Sequence, residues 1–221
     1  ASLPDLSTVG GVAAVTEPAE TTLEATYFDT PDLRLAGQHI TLRHRTGGSD
    51  QGWHLKLPAS GDERTEIRRP LSKATRKVPK ALAKKVRQIA RRAELVPVAI
   101  LRTTRVEQRL VDSAGQDLAV IADDTVHAKR LRDGSVDASS WREVEVELTG
   151  GDQKFLDTVS SRLETGGLTR SAAVSKLQRT LGAVPAEQRK HPTLTRRSRS
   201  GKVVQAHLRE HVEELIGREI G

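Results

Sequence analysis

Apolar and polar residues alternate one by one in several stretches of the chain, and a period of two predicts strands whose two faces differ. In residues 40–45, Ile40, Leu42 and His44 share one face while Thr41, Arg43 and Arg45 share the other. Residues 53–57 set Trp53, Leu55 and Leu57 against His54 and Lys56, and residues 64–68 set Thr65 and Ile67 against Arg64, Glu66 and Arg68. Residues 22–28 are strand-like through their β-branched and aromatic content. Farther along, residues 98–111 place Arg105, Glu107 and Arg109 opposite Val106 and Leu110. Residues 118–131 carry Asp123-Asp124, and residues 139–148 alternate Glu143, Glu145 and Glu147 with Val144, Val146 and Leu148. Turn-forming residues separate these segments: Gly47-Gly48, Pro58, Ser60-Gly61, the run 113–116 and Asp133-Gly134.

Elsewhere the period changes to three and four. Leu82, Val86 and Ile89 predict a helix over 79–92. Phe155, Val159 and Leu163 predict another over 152–165, and a third over 171–181 carries Ser175-Lys176. Asp29-Thr30-Pro31-Asp32 reads as the start of a short helical turn anchored by Leu33 and Leu35. Over 183–200 the pattern breaks, with Pro185, Pro192 and a basic run from Arg196 to Arg199. Helical spacing resumes over 202–220 through Val204, Leu208, Val212, Leu215 and Ile216. The expected organisation is a domain over 1–182, a linker over 183–200, and over 201–221 the first helix of a second, helical domain cut short.

The strands leave two readings open. One is an antiparallel sheet with a wet outer face. The other is a closed barrel whose charged faces meet inside as an anion site, where the fork of Arg donors matches phosphate oxygens. Composition narrows the partners. Net charge is +7 and the isoelectric point about 10.0, which favours polyanions. Aromatic residues make up 2% of the chain, which argues against nucleic-acid binding by base stacking. There is no Cys, hence no disulfide framework and no thiolate metal site, as in a reducing cytoplasm, the expected compartment. No apolar run is long enough for a membrane helix, and no signal peptide is visible. The chain also lacks Met and begins at Ala1, so a processed or longer polypeptide is expected.

Tyr27-Phe28-Asp29-Thr30-Pro31, Leu42-Arg43-His44-Arg45 and Leu55-Lys56-Leu57-Pro58 together resemble the CYTH domain, the triphosphate tunnel metalloenzymes. Asp123-Asp124, Glu143-x-Glu145-x-Glu147 and Ser175-Lys176 follow in the family's order, although Leu177 stands where the family has Tyr. The resemblance implies an α+β fold: an antiparallel eight-stranded β-barrel, or tunnel, with flanking helices. Seven strands are counted, and the family's first strand, bearing Glu-x-Glu-x-Lys, is not found. It is expected upstream of Ala1. The segment from Thr193 to Val212 resembles the opening of a CHAD domain, a helical polyphosphate-binding module.

On this resemblance Arg43, Arg45, Lys56, Arg64, Arg105 and Lys176 bind substrate phosphates, with Lys56, Arg105 and Lys176 closest to the chemistry. Arg68 and Arg109 extend the basic lining. Glu143 and Glu145 hold metal and Glu147 assists. Asp123 fits the further acidic position, with Asp124 as the alternative. Oxygen ligands without thiolates point to Mg2+ or Mn2+. His44 is expected to pack, while His54 is open between a polar lining and a catalytic role. The activity implied is divalent-metal-dependent hydrolysis of inorganic triphosphate or a related linear triphosphate, with no membrane partner; a general nucleic-acid binder is the runner-up on composition, but its motif signatures are absent. The alternative is a non-catalytic CYTH–CHAD module binding polyphosphate. An adenylyl cyclase ranks lower, since nothing reads as an adenine pocket.

Overall fold

The structure is a computed structural model and describes residues 2–58, 64–71, 77–132, 135–171 and 175–182. The Asp133-Gly134 turn, the linker over 183–200 and the helix over 202–220 lie outside the described residues. Among the described residues the elements run β1 (Ala14–Val15), β2 (Ala19–Asp29), α1 (Arg34–Gly37), β3 (Thr41–Thr46), β4 (Gly52–Pro58), β5 (Arg64–Arg69), α2 (Lys80–Lys85) and α3 (Arg87–Ala90). Then follow β6 (Val96–Val111), β7 (Asp117–Arg132), β8 (Ser135–Leu148), α4 (Gln153–Thr165) and α5 (Lys176–Leu181). The strands form one eight-stranded antiparallel sheet in the order β5-β4-β3-β2-β6-β7-β8, with β1 pairing β6 off that path. The expected α+β architecture, an eight-stranded antiparallel sheet with flanking helices, is therefore present, but among the described residues no pairing of β5 with β8 closes it into the expected barrel. Its eighth strand is β1, which at two residues is too short to show any periodicity.

The chain divides into two compact units. One holds Tyr27–His44 and Gly52–Val98. Its core gathers Phe28, Leu35, Ile40, Leu42, Trp53, Leu55, Leu82 and Val86, the apolar faces of β3 and β4 together with the helical row of α2. Trp53 is fully buried, with Phe28 tilted against it and the His44 ring meeting it edge-on, each at 5.1 Å between centroids. Burial holds the His44 imidazole below its ordinary pKa, so the neutral ring packs as an aromatic. The helix expected over 79–92 divides at Val86, where the backbone leaves helical geometry (φ −102°, ψ 8°). Leu82, Val86 and Ala90 still bury one continuous row at intervals of four.

The Asp29 carboxylate organises the turn between β2 and α1. It accepts from the backbone N–H of Thr30 (2.7 Å), Leu35 (2.8 Å) and Ala36 (2.9 Å), so it satisfies donors that the short helix leaves open. The Thr30 hydroxyl oxygen accepts from the Arg34 N–H at 3.0 Å. Burial dominates the Asp29 carboxyl and raises its pKa, even though all these donors favour the charged form.

The other unit holds Ala1–Thr26, Arg45–Gln51 and Ala99–Thr180. Here β6, β7 and β8 form a long meander. The turn from β6 to β7 closes on Asp112, whose carboxylate accepts from Ala114 N (2.8 Å) and Gln116 N (2.9 Å), while Gly115 takes φ +79°. Gly47, at φ +81°, passes so close to β2 that a Cβ would lie 2.2 Å from the Thr22 carbonyl oxygen. One face of the meander, with Leu110 and Ile121, packs on Val159 and Leu163 of α4 and on Leu6 and Val9. Asp152 caps α4 by accepting from Phe155 N at 2.7 Å. The opposite face of the meander carries Arg105, Asp124, Glu143 and Glu145. No helix among the described residues is long and apolar enough to cross a membrane.

Candidate functional site

Cross-strand register decides which charged residues of β6, β7 and β8 meet. Arg105 lies opposite Asp124, Asp124 opposite Glu143, and Ala122 opposite Glu145. Directly opposed residues of an antiparallel pair share a face, so Arg105, Asp124, Glu143 and Glu145 project together. Arg105 grips the fully buried Asp124 with two parallel bonds, Nε to Oδ1 and Nη2 to Oδ2, both 2.7 Å. Its Nη2 also donates to Glu145 Oε2 at 2.8 Å. From α5, Lys176 Nζ reaches Glu143 Oε1 at 2.5 Å, Glu145 Oε1 at 2.6 Å and Asp124 Oδ2 at 3.0 Å. The Ser175 hydroxyl oxygen accepts from Gln178 N at 3.1 Å, which caps α5 and sets Lys176 as its first residue.

Electrostatics follow from this packing. Burial alone would raise the Asp124 carboxyl, but the Arg105 hydrogen bonds and the Lys176 charge overcome it and hold the pKa low. The Asp124 hydrogen bond raises Arg105 against the opposing effect of burial. Burial would lower Lys176, yet Glu145, Glu143 and Asp124 together raise it. Both cations therefore stay charged, and three carboxylates face two cations.

Trp141 and Arg179 support the cluster, and neither stands out in the sequence. The Trp141 indole N–H donates to Glu143 Oε2 at 2.6 Å, and the Arg179 guanidinium lies 4.8 Å from the centre of the Trp141 ring. A readable hint was their spacing: Trp141 is two residues from Glu143 on β8, and Arg179 is three from Lys176 on α5.

Asp123, the residue favoured by sequence, is on the other face of β7. It shares that face with Ile121 and takes two bonds of 2.7 Å from Arg142. The acidic partner of Glu143 and Glu145 is its neighbour Asp124, because one residue along a strand reverses the side. Glu147 lies opposite Val120, exposed, two positions beyond Glu145. Arg109 shares the Arg105 face but is exposed and paired with Asp117 at 2.6 Å. Arg45 is paired with Asp50 at 2.9 Å.

In the other unit, β4 and β5 bring His54, Lys56, Glu66 and Arg68 onto one face. Glu66 accepts from Arg68 at 2.7 Å and meets His54 Nδ1 at 2.9 Å, with Lys56 Nζ at 4.0 Å. Burial works against ionisation of Glu66, but Arg68, His54 and Lys56 bring its pKa down to about 2. The buried His54 is thus tied to Glu66, whose Arg68 and Lys56 partners are exposed. The backbone of Arg64 lies opposite Pro58; its side chain is outside the described part. Arg43 is half-buried. Its Nη1 donates to the Tyr27 hydroxyl at a long 3.4 Å, and its Nε is buried with no hydrogen-bond partner among the described residues. An unpartnered buried guanidinium donor is costly unless something satisfies it.

Residues 3–181 match the family model of the CYTH domain. The chain belongs to the CYTH domain family. That family is metal-dependent and binds triphosphate-type substrates in its tunnel fold. The chain is 42% identical over 192 residues to the uncharacterized protein Rv2226 of Mycobacterium tuberculosis strain ATCC 25618 / H37Rv, and equally to MT2285 of strain CDC 1551 / Oshkosh. Each match covers 81% of this chain but 37% of the relative, so the chain spans well under half the length of these proteins. A crystal structure of protein bh2851 from Bacillus halodurans shares the fold, with a TM-score of 0.54 at 20% identity, covering 74% of this chain and 83% of that one.

The CYTH domain's metal requirement can be tested against the residues present. Asp124, Glu143 and Glu145 each offer a carboxylate oxygen, and these oxygens lie within 4.8 Å of one another. Hard oxygen donors at this spacing suit a small divalent cation. The Lys176 ammonium already rests among the same carboxylates, which shows that they accept positive charge. The donor set fits the group.

Proposed function

We propose that this CYTH protein hydrolyses a small linear triphosphate, inorganic tripolyphosphate first, with Mg2+ or Mn2+ held by Asp124, Glu143 and Glu145. The observation that carries the reading is the convergence of three carboxylates with Arg105 and Lys176, oxygen ligands and phosphate-binding cations in one cluster. The bound ion would neutralise phosphate charge and stabilise what develops in the transition state. The protein's own groups do the rest. Arg105 and Lys176 donate to phosphate oxygens and hold the chain in place. Arg43 has a buried donor with no partner among the described residues, suited to a further phosphate oxygen. Water attacks the terminal phosphorus, the bond from that phosphorus to the bridging oxygen breaks, pyrophosphate leaves with the bridging oxygen, and the protons of the attacking water pass to the phosphate products and solvent. Arg45, Lys56 and Arg64 belong to the proposed phosphate-binding set. Asp124 replaces Asp123 among the metal ligands, and Glu147 assists from the open side.

A second reading is a polyphosphate-binding module without turnover, which the net charge of +7 favours. The two separate in one assay. Phosphate release is measured from tripolyphosphate, ATP, thiamine triphosphate and long-chain polyphosphate, each with Mg2+ or Mn2+. The enzyme reading expects tripolyphosphate to turn over fastest. Tight binding of long polyphosphate with no release from any substrate supports the module instead.

A further inference from the structure

Lys176 has three ammonium protons and meets three carboxylates, one each on Asp124, Glu143 and Glu145, at 3.0, 2.5 and 2.6 Å. The side chain is largely buried, so this is not a loose surface pair. The carboxylate oxygens that face Nζ are among those that would face a metal. Two cations focused on the same oxygens repel one another strongly at such separations. The first residue of a six-residue helix ends in a flexible four-carbon stem, so the ammonium can leave while α5 stays in place.

We propose that Lys176 is a built-in counter-ion of the acidic cluster, which a divalent cation must displace, and that the displaced ammonium then turns to a substrate phosphate. The inference rests on the metal-site reading above and deepens it. In the metal-free protein the lysine neutralises carboxylates that would otherwise repel each other. Metal entry transfers that task to the ion and frees three donors. Metal occupancy thereby raises affinity for the phosphate chain, and by linkage the phosphate raises affinity for metal. An empty site keeps its lysine occupied and binds anions weakly.

The test is Mn2+ titration of the full 221-residue chain by calorimetry, with Trp141 fluorescence as a second readout, since its indole is bonded to Glu143. Lys176→Gln removes the competing charge and is expected to tighten Mn2+ binding at least tenfold. Lys176→Arg retains it and stays within about threefold of wild type. Equal or weaker Mn2+ affinity in Lys176→Gln overturns the counter-ion role while leaving the metal site standing. No Mn2+ binding by wild type or Lys176→Gln overturns the metal site itself, and the inference with it. Amine acylation of wild-type protein, read at Lys176 by mass spectrometry, gives a measure independent of how the variants fold. Reactivity is expected to rise severalfold when Mn2+ is added. Unchanged or lower reactivity in a protein that binds Mn2+ contradicts displacement.

Discussion

Glu66 is the residue whose charge state reports most directly on its surroundings. It takes hydrogen bonds from Arg68 and meets His54, and its pKa falls to about 2 from an ordinary 4.5. A carboxyl whose folded pKa is depressed adds stability that is fully present above the unfolded value. That stability is lost as pH falls from about 4.5 toward about 2, at no more than about 1.4 kcal/mol per pH unit. Denaturant unfolding of wild type and Glu66→Gln should therefore differ most above pH 5 and converge near pH 2. A constant difference across that range would contradict the pairing. Asp29 has the opposite sign: burial raises its carboxyl, so its contribution declines as pH rises through the raised value.

Arg43 yields a prediction on binding. Removing a guanidinium whose buried Nε has no partner among the described residues should weaken tripolyphosphate binding by roughly 1.5–3 kcal/mol, the range for hydrogen bonds to charged groups. Calorimetry of Arg43→Ala at low salt measures it, and wild-type affinity would remove Arg43 from the phosphate set. At this scale the sequence was readable by kind and not by side. Asp123-Asp124 marks an acidic position, but apolar residues occupy both faces of β7. Ile121 flanks Asp123, and Val126 flanks Asp124. Only the pairing of Asp124 with Arg105 and Glu143 resolves the two.

At the scale of elements, α1 depends on one carboxylate. Four residues make a helix too short to satisfy its own donors, and Asp29 accepts three backbone N–H groups around it. Asp29→Ala leaves these donors buried and unpaired, so a loss of about 2–4 kcal/mol is expected. Asp29→Asn, which keeps one acceptor oxygen, should lose less. The midpoint of urea unfolding measures both, and an unchanged midpoint in the Ala variant would refute the capping role. Strand segments such as β3 and β4 were legible because apolar residues that the fold buries alternate with charged or polar ones. Two features escaped: β1, too short for a period, and the division of α2 from α3, since Leu82, Val86 and Ala90 keep helical spacing across it. The start of α5 at Lys176 depends on the Ser175 cap, which a Ser-Lys pair in sequence only suggests.

At the scale of the whole molecule, motif order carried more than any single motif. Arg-x-Arg, Lys, Asp-Asp, Glu-x-Glu-x-Glu and Ser-Lys are each ordinary on a charged strand or helix face. Their succession over one antiparallel sheet identified the CYTH family, and residues 3–181 match it. Which residues converge could not be read from order, because Lys176 joins β7 and β8 only through the placement of α5 beside them. Sequence also put Arg109 beside Arg105, but Arg109 is turned toward Asp117 and solvent. The 81% of the chain shared with the mycobacterial relatives amounts to 37% of their length.

The most direct test of the site is phosphate release from tripolyphosphate with Mn2+ or Mg2+, by wild type and by Glu143→Gln. Glu143 is a proposed metal ligand held by both Trp141 and Lys176. Loss of transition-state stabilisation worth several kcal/mol corresponds to on the order of 100-fold or more in rate. The expected result is release that stops on chelation and falls by at least that factor in Glu143→Gln. Release that survives chelation, or equal rates in the two proteins, would contradict a metal-dependent triphosphatase built on this cluster.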